Sequence, residues 1–241
     1  MILYIIRHGA PDYATDSLLD EGRRQAQLVA ARLKVAGIDA IYASPMGRAR
    51  ETAQPLAEML GLPVMVEEWA HEIGSESATP FPDGVMKPVS HVHPVHYHRK
   101  EYLGLPTERV FGEVDGFREN DFRGRYRIVA DGLVDFLARL GYRRNENGTF
   151  DIVAENDRHV ALFCHGGMLR IVISFLFDLP IHLIAASQIA YFTGVTTLSF
   201  GKGYGNSGVT LPKLLTLGDI GHLYNDGHPL NFNFTGDSFR W

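Results

Sequence analysis

The chain offers a single cysteine, Cys164. No disulfide can form within it, and a reducing, cytoplasmic setting is expected. Long apolar runs are equally scarce. Met1–Ile6 meets Arg7-His8 directly, which is too short for a signal-peptide core or a membrane span. Met168–Ala190 is the most apolar stretch, but Arg170, Asp178, Pro180 and His182 interrupt it, so it reads as a buried helix and a following loop. No excess of positive charge is present either. The formal net charge is −5, so neither nucleic acid nor an acidic membrane is an expected partner, and any anion site must be local. There is no internal repeat and no low-complexity tract.

What the chain does have is apolar content enough for one substantial core, 45% of 241 residues. Met1–Ile6 is a continuous apolar run, as in a strand covered on both faces. Asp20 is placed to cap a helix in which Ala26, Val29, Ala30 and Leu33 recur at helical spacing, ending at Gly37. Residues 38–43 and 64–67 read as further strands. Between them a helix over 48–60 is stopped by Gly61 and Pro63. A second amphipathic pattern, Val129, Ala130, Leu133, Leu137 and Leu140, ends at Gly141. Asn147-Gly148 marks a hairpin turn, 159–164 is a core strand, and 168–177 the helix after it. Late strands are expected over 195–200 and 209–217, flanking a glycine-rich turn. They offer an edge through which two copies could pair as a homodimer. The alternation predicts a three-layer α/β/α sandwich on a mostly parallel sheet, folded as a single domain over 1–241. Prolines 80, 82, 88, 94 and 106 break the pattern between about 74 and 116. That segment reads as an inserted lid over the site side of the sheet.

Two strand ends carry the chemistry. Arg7-His8-Gly9 follows the first strand, and His165-Gly166-Gly167 follows the strand ending at Cys164. Ligands of open α/β sheets bind beyond the carboxyl ends of strands. Ser44-Pro45-Met46-Gly47-Arg48 lies at a third such junction, where helix amides and an arginine fork favour an anion. Phosphoryl transfer needs cationic donors around three oxygens, a nucleophile and an acid for the leaving oxygen. Neutral His8 can attack, Arg7, Arg48 and His165 can bind, and Gly9 without a Cβ can let backbone approach the ligand.

These segments, with Leu19-Asp20-Glu21-Gly22-Arg23-Arg24-Gln25-Ala26 and the late Leu217-Gly218-Asp219-Ile220-Gly221-His222-Leu223, resemble the histidine phosphatase superfamily, the phosphoglycerate mutase-like proteins, in the same order along the chain. The resemblance implies that His8 becomes phosphorylated and that Arg7, Gly9, Arg48, His165 and Gly166 line the phosphate pocket. It implies a general acid after the third strand, where Trp69-Ala70-His71-Glu72-Ile73 places Glu72, with Glu68 in reserve. It implies no cofactor and no metal, and a small phosphorylated metabolite as substrate. Ala10-Pro11-Asp12-Tyr13 replaces the longer polar stretch of the mutases, and Ile73-Gly74-Ser75 replaces their segment rich in Arg, His and Tyr. Hydrolysis is therefore expected. Mutase-type phosphoryl transfer and a non-catalytic phosphate binder are the alternatives.

Two other patterns compete. Cys164 to Arg170 matches the C-x5-R loop of thiolate phosphatases, but the apolar run reaches Cys164 itself, and that reading leaves Arg7, His8 and Arg48 unexplained. His91, His93, His96 and His98 have a spacing that can bind zinc. Pro94 breaks any helical face there, so an exposed, aromatic-rich insertion is the expected reading.

Overall fold

Strand β1 (Ile2–Arg7) occupies the interior of a six-stranded sheet in the computed structural model of the chain. The structure describes residues 1–73, 78–80, 86–88, 97–118, 122–187, 190–202 and 207–224. Its other strands are β2 (Ala40–Ala43), β3 (Val64–Val66), β4 (His159–Cys164), β5 (Val195–Phe200) and β6 (Pro212–Asp219). The order is β6-β5-β1-β4-β2-β3. β1 pairs parallel to β4, β4 to β2 and β2 to β3, while β5 and β6 run antiparallel at one edge.

The chain divides into two compact units. The first holds this sheet with residues 1–71, 134–165 and the described residues from Ala190 onward. Helices α1 (Asp20–Lys34) and α2 (Gly47–Leu60) pack here. Ile6, Ile41, Ala43, Ala161 and Phe163 from the strands meet Val29, Ala30, Leu33, Ala53 and Leu56 from the helices in one buried cluster. Side chains alternate across a strand, so Tyr42 points the other way, and its ring meets Phe136 edge-on at 4.9 Å. Both faces of the sheet are thus covered, as the unbroken apolar runs of β1 and β4 require.

Local differences from the sequence reading have simple causes. Leu19, not Asp20, is the N-cap of α1, and no side chain caps it. Asp20 sits one residue later, where its charge still favours the helix start. Gly61 takes the left-handed cap (φ 65°) that ends α2. The expected strand over 209–217 is split. Val209–Thr210 pairs with Phe150–Ile152 in a small sheet that also holds Tyr142–Arg144, and β6 begins at Pro212. Proline has no N–H for the ladder, so it suits the first residue of an edge strand. The hairpin at Asn147-Gly148 forms, with Gly148 at φ 82°. The glycine-rich turn lies partly outside the described residues.

The second unit holds the described residues of 72–133 and 166–189. It includes α3 (Thr107–Glu113), the first turns of α4 (Phe122–Arg139), α5 (Gly166–Phe177) and α6 (Ile181–Ser187). Its core is aromatic. Tyr97, Phe117, Phe122, Phe111 and Tyr126 form a chain of ring contacts with centroids 4.8 to 6.1 Å apart. Within the expected lid, an antiparallel pair (Ala78–Pro80 with Met86–Pro88) and α3 are described, and much of the rest is not.

Candidate active site

Sheet pairing dictates where the first unit's polar side chains meet. Arg7 is opposite Cys164 in the parallel β1/β4 register, so His8 and His165 leave adjacent strands at one level. Their rings lie 5.2 Å apart. His8 is 1% exposed and His165 is 0% exposed. Parallel β2 ends beside them at Ala43, and Ser44 follows.

His8 Nδ1 lies 2.7 Å from the carbonyl oxygen of Gly9. A carbonyl only accepts, so Nδ1 carries the proton and Nε2 holds the free lone pair. Burial, then the charge of Arg7, and also that of Arg48, push the His8 pKa well below the usual histidine range. The ring is therefore neutral and nucleophilic near neutral pH. His165 is pushed down for the same first reason, burial, with His8, Arg48, His71 and Arg7 adding to it.

His165 Nε2 meets Ser44 Oγ at 2.7 Å. Ser44 Oγ also accepts from the Met46 amide, and either it or His165 Nε2 can supply the proton between them. His165 Nδ1 is buried with no hydrogen-bond partner among the described residues. Arg48 Nε is likewise buried and unpartnered among them. A buried guanidinium donor without an acceptor marks a place where an anion fits. Arg48 Nη1 is paired with Asp16, whose other oxygen accepts the Gly47 amide at 2.6 Å, at the start of α2. Arg7 donates to the Ala190 carbonyl, and its guanidinium lies over the Phe192 ring at 4.3 Å.

The structure thus brings Arg7, His8, Gly9, Arg48 and His165 together in the first unit. Gly9 has a packing role that the sequence reading did not include. A Cβ there would stand 2.6 Å from the Gly22 carbonyl oxygen, so the glycine admits the start of α1. Its amide donates to Thr52 Oγ1 at 3.0 Å, and Thr52 bonds the Arg48 carbonyl. Ser44 and Thr52 lie in or beside the Ser44–Arg48 motif, but their roles, like that of Phe192, come through tertiary pairing that the sequence does not show.

Glu72 and Gly166 belong to the second unit. The Glu72 carboxylate accepts from the amides of Ile73 at 2.9 Å, Met168 at 3.3 Å and Gly167 at 3.4 Å. Gly166 opens α5, and a Cβ on Gly167 would meet Glu72 Oε1 at 2.6 Å. The glycine pair therefore lets a carboxylate sit on the helix N-terminus. Glu68 is exposed in a short 3-10 turn.

Cys164 is the last residue of β4 and is fully buried. It lies within the strand, not in a loop of amides. Among the described residues no group of three or more His, Cys, Asp or Glu stands close enough to hold a metal ion. His91, His93 and His96 lie outside the described residues, and His98 is exposed. No helix among the described residues is long and apolar enough to cross a membrane.

Residues 3–78 match the histidine phosphatase superfamily (branch 1). A probable phosphoglycerate mutase GpmB from Serratia proteamaculans is 35% identical over 193 residues, 74% of this chain and 75% of that protein. The chain belongs to the histidine phosphatase superfamily. Phosphoserine phosphatase 1 of Hydrogenobacter thermophilus is 27% identical over 122 residues, 47% of this chain, and the match spans 58% of that protein's length. Among solved structures, the phosphoserine phosphatase of Entamoeba histolytica in complex with 3-phosphoglyceric acid aligns with a TM-score of 0.58 at 24% identity, over 92% of this chain and 98% of that one. It shares the histidine phosphatase fold: a mostly parallel sheet flanked by helices.

Proposed function

We propose that this histidine phosphatase superfamily member is a metal-independent phosphomonoesterase acting on a small phosphorylated metabolite through phosphorylated His8. The observation that carries it is the state of His8. Its Nδ1 proton is held on the Gly9 carbonyl, its ring is neutral for the physical reasons given, and its Nε2 lone pair is free beside His165 and two arginines.

In the first step His8 Nε2 forms a bond to phosphorus as the P–O bond to the leaving group breaks. Glu72 gives that oxygen its proton. Arg7, Arg48 and the Nδ1 proton of His165 stabilise charge on the three equatorial oxygens. In the second step Glu72 takes a proton from water as the water oxygen attacks phosphorus. The N–P bond breaks, leaving inorganic phosphate and the starting enzyme. Substrate selection is assigned to the 74–116 insertion. Ala10-Pro11-Asp12-Tyr13 after Gly9 and Ile73-Gly74-Ser75 after Glu72 support hydrolysis over mutase chemistry, because a mutase must shield its phosphohistidine and a second phosphoester from water.

The test is a phosphate-release screen over phosphoamino acids, phosphoglycerates, sugar phosphates and nucleotides, with and without chelator. Turnover that survives the chelator and vanishes in His8→Ala, while Cys164→Ser keeps it, is the expected outcome. An inactive serine variant beside an active alanine variant would install a thiolate mechanism. Isomerisation of a phosphoglycerate without net hydrolysis would establish a mutase, and binding without release a non-catalytic role.

A further inference from the structure

We propose that His222 and Thr193 are positioning residues that fix Arg7 and His8 for attack through the loop Ala190–Gly194; this rests on the phosphoryl-transfer reading above. That loop touches the nucleophile and its arginine in several ways. The Thr193 amide donates to the carbonyls of Arg7 at 3.1 Å and His8 at 3.3 Å. The Arg7 amide donates to Gly194 at 3.3 Å. The Ala190 carbonyl accepts from the Arg7 guanidinium. The Phe192 ring lies under that guanidinium at 4.3 Å and beside the His8 ring at 5.8 Å.

Thr193 holds this loop in a conformation that threonine disfavours. Its φ is 56°, in the left-handed region, and it is 0% exposed. A β-branched residue is strained there, and glycine or asparagine would be the relaxed choice. What threonine supplies and glycine lacks is a hydroxyl, and that hydroxyl ends a hydrogen-bonded chain whose direction is fixed by chemistry. A guanidinium only donates. Arg32 Nη1 lies 3.4 Å from His222 Nδ1, so Nδ1 accepts and the His222 proton sits on Nε2. Nε2 lies 2.9 Å from Thr193 Oγ1 and donates to it. The Thr193 hydroxyl then donates to the Phe192 carbonyl at 2.7 Å. Arg32 is anchored in turn by Asp219, to its carboxylate at 2.5 Å and its carbonyl at 3.3 Å.

The chain works only while His222 is neutral. A proton on Nδ1 would face the Arg32 guanidinium. Burial first, and Arg32 second, hold the His222 pKa down to about 4, with Asp219 opposing. These are the charged groups that face His222 from α1 and from β6. His222 is the second residue of the short helix α7 (Gly221–Tyr224), and the Asp219 carboxylate sets that turn by accepting the Gly221 amide at 2.8 Å. The Leu217–Leu223 segment, which resembles the family's weaker signature, thereby gains a physical role: it delivers one donor proton to the loop that holds the nucleophile.

The test uses the full chain and variants that separate stability from turnover. Thr193→Gly removes the hydroxyl while relieving the backbone strain. Its melting temperature is expected to change little, because relief of strain offsets the lost partner of His222, while kcat on p-nitrophenyl phosphate falls about tenfold or more and inorganic phosphate binds more weakly by calorimetry. Thr193→Ser keeps the hydroxyl and stays within about threefold. His222→Gln keeps an amide donor at the Nε2 position and loses less than His222→Phe. Combining Thr193→Gly with His222→Phe is no worse than the poorer single variant, because both cut one chain. Thr193→Gly with kcat and phosphate affinity within twofold of wild type overturns the proposal, whatever its melting temperature and whether or not His222→Phe folds. Wild-type protein that binds phosphate but releases none from any ester overturns the hydrolytic reading instead, and the phosphate affinities of the variants still decide the positioning.

Discussion

Ser44 Oγ and His165 Nε2 are 2.7 Å apart, and both residues are fully buried. With the Ser44 proton donated to His165 Nε2, the proposed mechanism has the His165 proton on Nδ1, where it meets the phosphate. Without the serine proton, His165 can carry its own on Nε2 and present a lone pair to an anion. Ser44→Ala is therefore expected to weaken inorganic phosphate binding and to lower kcat/KM about tenfold, the effect of one lost charge-stabilising donor with its support. It also leaves a buried polar nitrogen unsatisfied, at about 1–3 kcal/mol of stability. Calorimetry with phosphate and steady-state kinetics check it. Unchanged affinity would show that Ser44 is only a packing residue.

Glu72 as the acid makes a prediction that depends on the leaving group. An alkoxide needs a proton as it departs and p-nitrophenolate does not. Glu72→Gln is expected to lose about 10²–10⁴-fold on an alkyl phosphate such as phosphoserine, and far less in the first step with p-nitrophenyl phosphate. Water attack would still lack its base, so the variant should show a burst of p-nitrophenol and an acid-labile phosphohistidine. Equal losses on both esters, with no burst, would remove Glu72 from the acid role.

The parts of the site legible in the sequence are those that local chemistry dictates. A strand that ends in Arg7-His8 and another that ends in His165 must present those groups at the sheet's carboxyl edge, once the sheet is parallel there. His222 was visible only as a member of the Leu217–Leu223 segment, and Thr193 not at all, because their effect depends on the antiparallel placement of β5 against β1, which brings the loop before Val195 to the end of β1. No periodicity encodes that. Gly9 was legible as a necessary glycine, but the room it makes for the Gly22 oxygen, in the first turn of α1, was not. The split of the last strands was missed because a single proline, Pro212, changes sheets at a point where the apolar pattern runs on.

The glycines of the Gly9–Gly22 contact and the cap of α2 should respond differently to alanine. A Cβ on Gly22 would lie 2.1 Å from the Ala10 carbonyl oxygen, whereas one on Gly61 meets nothing within 4 Å and is penalised only by its φ of 65°. Gly61→Ala is expected to cost about 1 kcal/mol. Gly22→Ala forces backbone apart beside His8, and about 1–3 kcal/mol or more is expected, with lost turnover in the folded fraction. Thermal unfolding of both variants gives the ranking, and equal melting temperatures would refute the packing argument.

Acid sensitivity follows from the buried imidazoles. His8, His165 and His222 all have folded pKa values below that of an unfolded histidine. The unfolded chain therefore binds more protons below about pH 6.5, and stability falls as pH drops through that value. Above it the three groups contribute no slope. For His222, held down to about 4, the loss from this group alone reaches about 3 kcal/mol once the pH is at that value. Denaturant unfolding between pH 8 and pH 4 should show a plateau followed by a steep decline. His222→Gln should flatten the acid limb by about one proton's worth of slope, near 1.4 kcal/mol per pH unit. An acid limb as steep in the variant as in wild type would mean that His222 is already charged in the folded protein, and the donor chain from Arg32 to Thr193 could not then exist.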